Sequence, residues 1–469
     1  MFKQHKRILF VVLIISLLIF GFLRKCIDVG RVHPDLPFDT SATQEKRFHY
    51  TRYEGLPKSR AVFEIFRYIK KYKNKRPHAN QSTKLYFQYQ RSKVKRQANQ
   101  TFADGNNLSL ALFGDLMWVG KVSSNYVSSD IINYLCNHDM VFGNLETPID
   151  KNRRVPNLLP DYLTYNSSPT LLDAFTCPET GISPFTVLSL ANNHVLDRGA
   201  EGALNTIQLL DDMGIKHTGV FPKKAQTKKY LTLEKNGIKV GFYAATYGLN
   251  FDKPEYRSVI DVNQLSGIAP PDSSKINISE IQDVITSMKT EHVDFIIISM
   301  HWGYEFELYP DPLIQKIAHL IVQAGADLIV GSHPHIFQPV EIVYINDYSH
   351  NIIPDVKHFS QLTISDEWSK PRKAMIFYSL GNFVSRMYTP SCQIGVISSI
   401  MLFKNPETLV TDWVLNNSQF VYNDVPFFPG KKHRIMFYNE FRDRYLVKPT
   451  KRNRKIREEA EFMIRHFGT

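Results

Sequence analysis

Five short segments place metal-binding residue types directly after, or inside, an apolar run. Asp115 follows LSLALFG, Asn144 and Glu146 lie in HDMVFGNLE, and Asn192, Asn193 and His194 follow FTVLSLA. His301 ends VDFIIISM, and His333 and His335 follow ADLIVGS. Two carboxylates, an amide oxygen and several imidazoles suit one or two ions of Mn, Fe or Zn, which accept mixed nitrogen and oxygen donors. Ca or Mg would demand more oxygen, and no thiolate is at hand. A carboxylate shared by two ions, each also held by its own histidine, activates water and clamps a phosphoryl oxygen, which is the chemistry of phosphoester hydrolysis. Each segment alone has a plainer reading: Asp115 as a helix cap, Asn192-Asn193-His194 as a turn with a surface histidine, His301-Trp302 as a buried aromatic pair. His333-Pro334-His335 is more specific, because proline stiffens the pair and alternate residues share a side. The joint occurrence of these segments in order carries the argument.

The elements that must position these residues are legible from periodicity. The five runs, with IKVGFYAATY and AMIFYSLGNF, are continuous in β-branched and aromatic residues, the pattern of strands buried on both faces. Helical stretches over Gly202 to Met213, Ser279 to Lys289 and Pro312 to Ala324 alternate with them, which predicts an α/β domain over residues 106–429 with a surface insertion at 346–372. In open α/β sheets the functional crevice lies beyond the carboxyl ends of the strands, so the polar clusters are expected to converge on one site.

The chain has 469 residues, of which 43% are hydrophobic and 22% charged, which excludes a disordered tail, a collagen or a disulfide miniprotein. Its net charge of +12 is unevenly placed: residues 1–100 carry 22 Lys+Arg against 6 Asp+Glu, and residues 430–469 carry 12 against 5, so the middle is acidic. Ile8 to Leu23 is an uninterrupted apolar run between Lys3, Lys6, Arg7 and Arg24, Lys25. No small-residue cleavage site follows it, so residues 1–25 read as a retained single-span signal anchor rather than a signal peptide. Residues 26–105 then read as a basic stem, with an amphipathic helix at Ala61 to Tyr72, and residues 430–469 as a basic tail. The domain is expected to face away from the cytoplasm as part of a single-pass membrane protein. The basic flanks suit anionic lipid headgroups or an anionic polymer, and no motif accompanies them that would recognise nucleic acid. Sequons at Asn80, Asn99, Asn107, Asn166, Asn277 and Asn416 would be usable in a eukaryotic secretory pathway, making a glycoprotein. The four cysteines, Cys26, Cys136, Cys177 and Cys392, have no metal-site or redox spacing. They read as buried free thiols, with a Cys136–Cys177 disulfide the alternative outside the cytosol.

The ordered series Gly114-Asp115, Gly143-Asn144-Leu145-Glu146-Thr147-Pro148, Ala191 to Gly199, His301-Trp302-Gly303, Gly331-Ser332-His333-Pro334-His335 and Tyr378 to Phe383 resembles the capsule-synthesis CapA (PgsA-type) family, from about Leu108 to Phe403. That family is similar in fold to the calcineurin-like metallophosphoesterases. The resemblance implies a four-layer sandwich of mixed β-sheets flanked by helices. It also implies a ligand set in which Asp115 and His335 hold a first metal, Glu146 bridges, and Asn193, His301 and His333 hold a second. His194 would be a general acid or a phosphate contact, and Asp197 would orient it or cap the next helix. Asn144, Asn192, Trp302, Ser379 and Asn382 would line the substrate side. One departure stands out. The calcineurin-like enzymes open with Asp-x-His, and here Met117 stands two residues after Asp115, a poor ligand for such an ion. The family's role implies work on an anionic capsule polymer such as poly-γ-glutamate, with the polymer or polymer synthase subunits as partners. Two readings follow: a membrane-anchored metal-dependent hydrolase or transferase, or a non-catalytic anchored module that binds the polymer or a synthase.

Overall fold

Along the first strand, β1 (Asn106–Met117), Leu108, Leu110 and Leu112 are buried in one apolar cluster while Ala111 and Phe113 are buried in another. Alternate residues of a strand face opposite sides, so this strand lies inside the molecule with apolar material on both faces. The computed structural model describes residues 79–467 apart from 80, 98–105, 124, 157–163, 224–227, 266–276, 347–351, 353–370, 426–432 and 449. The expected anchor at 8–23, the helix at 61–72 and most of the insertion at 346–372 lie outside the described residues.

Two mixed sheets form the body. The first joins β1 to β2 (Met140–Glu146), β3 (Val187–Ser189) and β4 (Lys216–Thr218) in parallel. On its other side run β14 (Ile394–Lys404), β16 (Gln419–Asp424) and β17 (Arg434–Phe437), all antiparallel to their neighbours. β13 (Asn382–Val384) pairs with β1, and β15 (Thr411–Leu415) with β14. In the second sheet, β7 (Ile238–Thr246), β9 (Phe295–His301), β10 (Leu328–Ser332) and β12 (Arg372–Phe377) are parallel, and the edges β6 (Leu231–Lys235) and β11 (Val340–Ile345) are antiparallel. A small ribbon pairs β5 (Val220–Pro222) with β8 (Ile260–Val262). All seven apolar runs are therefore strands. The third keeps only three ladder residues, because the chain turns away after Leu190 to present Asn192, Asn193 and His194.

Helices cover the sheets. Helix α1 (Gln81–Gln97) precedes β1, and α2 (Ser129–Cys136) and α3 (Gly199–Asp212) bury Ile131, Leu135, Ala203, Ile207 and Leu210 with Ala111 and Phe113 of β1. Helices α4 (Ser279–Thr290) and α5 (Pro312–Ala324) bury Ile281, Ile285, Met288, Ile314, Ile317 and Ile321 with the second sheet. The start of α5 matches its expected boundary for a physical reason: Pro312 occupies the first turn and the Asp311 side chain accepts a hydrogen bond from the Leu313 N–H.

The flanks differ from the sequence reading. The last part of the expected stem is helix α1, with Phe87, Gln90 and Val94 buried at helical spacing. Phe87 meets the Tyr378 ring edge-on, and the Gln90 side chain accepts from the Ile342 N–H. The expected tail supplies β17 and two helices, α6 (Tyr438–Tyr445) and α7 (Lys451–Phe467). Tyr438, Phe441, Ile456 and Ala460 form an apolar cluster with Ile394 and Tyr422 of the first sheet, and Met463 joins the larger core. The basic residues thus marked the outer faces of these helices; their buried stripes dock them. Among the described residues, no helix is long and apolar enough to cross a membrane. Asn166 is fully buried, its amide donating to Asp150 and Arg153 backbone oxygens, so that sequon is closed to modification.

Cys136, at the end of α2, is bonded to Cys177, which corrects the free-thiol reading for this pair, and Cys392 remains a buried free thiol. The two cysteines are brought together by the packing of α2 beside the segment that leads into β3, a tertiary proximity that their spacing of 41 residues does not reveal. The close approach of strands also explains one glycine of the motifs: a Cβ on Gly114 would lie 1.9 Å from the Gly381 carbonyl oxygen. Substituting Gly114→Ala is expected to cost at least about 2 kcal/mol in a denaturant titration. Reducing the Cys136–Cys177 bridge, which closes a 41-residue loop, is expected to lower stability by up to about 4 kcal/mol on the chain-entropy model, read from the same titration.

Candidate metal centre

The parallel strands of both sheets end at one place. In the first sheet Asp115, Asn144 and Ser189 are side by side in register; in the second, Thr246, His301 and Ser332 are. Asp115 sits where the pairing of β1 with β2 and with β13 shifts register, a bulge that re-aims its side chain. The two strand edges face one another across the centre, with Glu146 Oε1 3.5 Å from His301 Nε2 and Glu146 Oε2 3.9 Å from His335 Nδ1.

Two donor triplets share Glu146: Asp115, Glu146 and His335, and Glu146, His301 and His333, each with its donor atoms within 4.8 Å of one another. The structure thus brings Asp115, Glu146, His301, His333 and His335 together. Asn193 stands beside the second triplet, with its Oδ1 2.9 Å from His301 Nε2. A third triplet, Glu305, His333 and His335, lies beside them.

The electrostatics fit a cation. Both Glu146 oxygens are buried and neither accepts a hydrogen bond. Burial pushes this carboxyl well above the usual range, and the nearby charges of Asp115 and Glu305 push it further. His301 is held well below the ordinary imidazole value, first by burial and then by its neighbours His333, His335 and His194. For His335 burial works in the same direction, but the hydrogen bond and charge of Asp115, with the charge of Glu305 and the Asn382 contact, together leave the value raised. A buried carboxyl without donors beside the lowered imidazole of His301 suits a mixed nitrogen and oxygen ion site. The second layer of contacts aims it: Ser332 Oγ lies 2.9 Å from His301 Nδ1, Asn382 Oδ1 lies 3.1 Å from His335 Nδ1, and the Asn144 amide donates to Asp115 at 2.8 Å. His333 and His335 both have left-handed backbone, with φ of 97° and 58°, a strain of about 1–3 kcal/mol each that the surrounding fold sustains.

His194 borders the shared carboxylate, its Nε2 4.0 Å from Glu146 Oε1. Its Nδ1 is 2.6 Å from Asp197 Oδ2, its ring stacks on Tyr165 at 3.9 Å between centroids, and the Asn250 amide lies 3.1 Å from Nδ1. Asp197 therefore orients His194, while α3 starts after Arg198 with no side-chain cap. Burial pushes the Asp197 carboxyl up, against the opposing pull of His194.

The five residues expected on the substrate side are all buried with their polar groups engaged inside the protein. Trp302 donates to the Tyr378 carbonyl at 3.0 Å, and Ser379 Oγ accepts from the Gly381 N–H. Asn192 bridges the Leu145 carbonyl and the His194 N–H. Asn144 and Asn382 hold ligands, as described above. Sequence reasoning missed Glu305 and Asn250. Asn250 follows β7, the strand in the middle of the series for which no terminal polar residue had been identified; the Gly248 turn delays it by four residues. Glu305 lies four residues after His301, beyond the Gly303 turn.

The family model described as bacterial capsule synthesis protein PGA_cap matches residues 89–387. The chain belongs to this family. It is 28% identical over 295 residues to the capsule biosynthesis protein CapA of Bacillus anthracis, covering 60% of each chain. It is also 28% identical over 295 residues to the PGA biosynthesis protein CapA of Bacillus subtilis, covering 61% of this chain and 65% of that one. The match thus spans about three-fifths of the length of these relatives. A phosphatase of Mycoplasma pneumoniae superposes with a TM-score of 0.34 at 9% identity, over 68% of this chain and 93% of that one, an overlap too loose to carry weight. The family match begins within α1, in keeping with the packing of that helix into the domain.

Removing the Asn382 amide that holds His335 is expected to weaken Mn²⁺ binding about 10–100-fold by isothermal titration calorimetry. Trp302→Phe is expected to leave Mn²⁺ affinity unchanged and to cost about 1 kcal/mol of stability.

Proposed function

We propose that this capsule-synthesis family protein is a metal-dependent hydrolase or transferase acting on a phosphoester or related bond of an anionic envelope polymer. The observation that carries the reading is the buried Glu146 carboxylate common to two histidine-containing donor sets, with the His194–Asp197 pair at its side. Asp115, Glu146 and His335 would hold one divalent ion and Glu146, Asn193, His301 and His333 another, with Mn, Fe or Zn as the ions this donor set suits. Bound there, such ions supply Lewis-acid polarisation of a phosphoryl oxygen and a water of lowered pKa. The protein's own contribution centres on His194. Asp197 accepts from Nδ1–H, which turns Nε2 toward the site and stabilises the protonated ring, and Tyr165 fixes the ring plane by stacking. From Nε2 the protonated ring donates to the leaving oxygen as the phosphorus–oxygen bond breaks. Asn250 ties this arrangement to the second ligand set through its contacts with Asn193.

The same proposal puts the domain outside the cytoplasm on an N-terminal anchor at residues 8–23. The apolar run and its basic flanks support this, as does the Cys136–Cys177 bridge, since disulfides persist in oxidising compartments. The polymer or a synthase subunit is the proposed partner.

Full-length protein loaded anaerobically with Mn²⁺ is expected to cleave a chromogenic phosphodiester. His301→Ala and His333→Ala should abolish turnover, and His194→Ala should lower kcat by about 10²–10⁴-fold while the ions stay bound. Ion-loaded protein that turns over no phosphoester would sink the catalytic reading. Met117, and the excess of 22 Lys+Arg over 6 Asp+Glu in residues 1–100, favour a second reading as a non-catalytic polymer-binding module. It predicts salt-sensitive polyglutamate binding that survives His301→Ala and is lost when residues 46–78 are deleted, a truncation that spares helix α1.

A further inference from the structure

We propose that Glu305 is a direct ligand of the ion centre, supplying the donor that Met117 does not. This deepens the metal-centre reading above and rests on it. Met117 is buried in an apolar group with Trp118 and Tyr165, so its thioether is committed to packing and the Asp115, Glu146 and His335 set has three protein donors. Glu305 offers a carboxylate oxygen within 4.8 Å of a donor nitrogen on His333 and one on His335. Those two histidines belong to different sets, so Glu305 spans both halves of the centre as Glu146 does.

The chain holds Glu305 there. After His301 the backbone turns through Gly303 at φ 83° and Phe306 at φ 64°, the latter a left-handed conformation that a bulky residue adopts only when its surroundings impose it. The imposing contacts are visible. Trp302 N–H donates to the Ser332 carbonyl at 3.1 Å and Phe306 N–H to the Pro334 carbonyl at 2.9 Å, so both ends of the Glu305 turn are bonded to the segment bearing His333 and His335. The Gln338 amide donates to the Glu307 carbonyl at 2.8 Å, and Tyr304, Phe306 and Glu307 are buried. A carboxylate clamped in this way to its two histidine partners is pre-organised for a shared ion. Three carboxylates against two divalent ions leave the centre net positive, as an anionic substrate requires.

The test is Mn²⁺ binding to full-length protein, followed by isothermal titration calorimetry and by metal analysis after desalting. Glu305→Gln is expected to lower Mn²⁺ affinity at least tenfold, and Glu305→His, which restores a donor, to bind more tightly than Glu305→Gln. Thermal melts with chelator are expected to coincide for wild type and both variants, separating ligand loss from misfolding. Wild-type and Glu305→Gln protein of equal Mn²⁺ affinity and stoichiometry would overturn the assignment while leaving the metal centre standing. Glu305→His no tighter than Glu305→Gln, with both folded, also counts against it. Wild-type protein that takes up no Mn²⁺ would remove the metal-centre reading itself.

Discussion

A carboxylate buried without a hydrogen-bond donor is among the more expensive things a fold can hold, and Glu146 is one. Much of the surrounding structure is arranged about it. It ends β2, in the middle of the molecule, where strand ends from two sheets meet; Asp115 and His335 stand to one side, His301 and His333 to the other. The strained backbone of His333 and His335 persists because these residues are tied down around the same point, by the Asp115 carboxylate that accepts from the His333 N–H and by the Asn382 contact to His335. Strain and unsatisfied burial of this kind accumulate where a ligand is to be held, and are offset by the apolar packing elsewhere.

That packing is generous. The continuous apolar runs bury both faces of the inner strands, and helices on either side complete the layers. The rigidity this confers lets residues far apart in sequence be aimed to within hydrogen-bond tolerance: His301 is oriented by Ser332 from the neighbouring strand, and His194 by Asp197 three residues on and by the Tyr165 ring. The disulfide, the α1 helix and the C-terminal helices secure the periphery of the same body.

The strands and the ligand series were legible because both depend on short-range patterns. A strand buried on both faces needs an unbroken apolar run, and a ligand at its carboxyl end must follow that run, so Asp115, Glu146, His301, His333 and His335 can be read in order. Glu305 and Asn250 escaped because each lies past a glycine turn, where distance along the chain no longer indicates direction in space. Trp302 and Ser379 adjoin candidate ligands in sequence, and in the fold the Trp302 indole donates to the Tyr378 carbonyl while Ser379 Oγ accepts from the Gly381 N–H. Adjacency in sequence does not say which side of a strand end a side chain faces.

By itself the sequence determined an α/β fold, its seven apolar inner strands and the donor types that follow them, since these come from hydrophobic periodicity and side-chain chemistry. Tertiary structure alone decided that Glu305 adjoins the histidines of both candidate donor sets. It also decided that Cys136 meets Cys177 and that the basic flanks contribute buried helices to the domain. Those outcomes are long-range proximities, set by how two sheets and their helices pack to exclude water, and no local pattern encodes them.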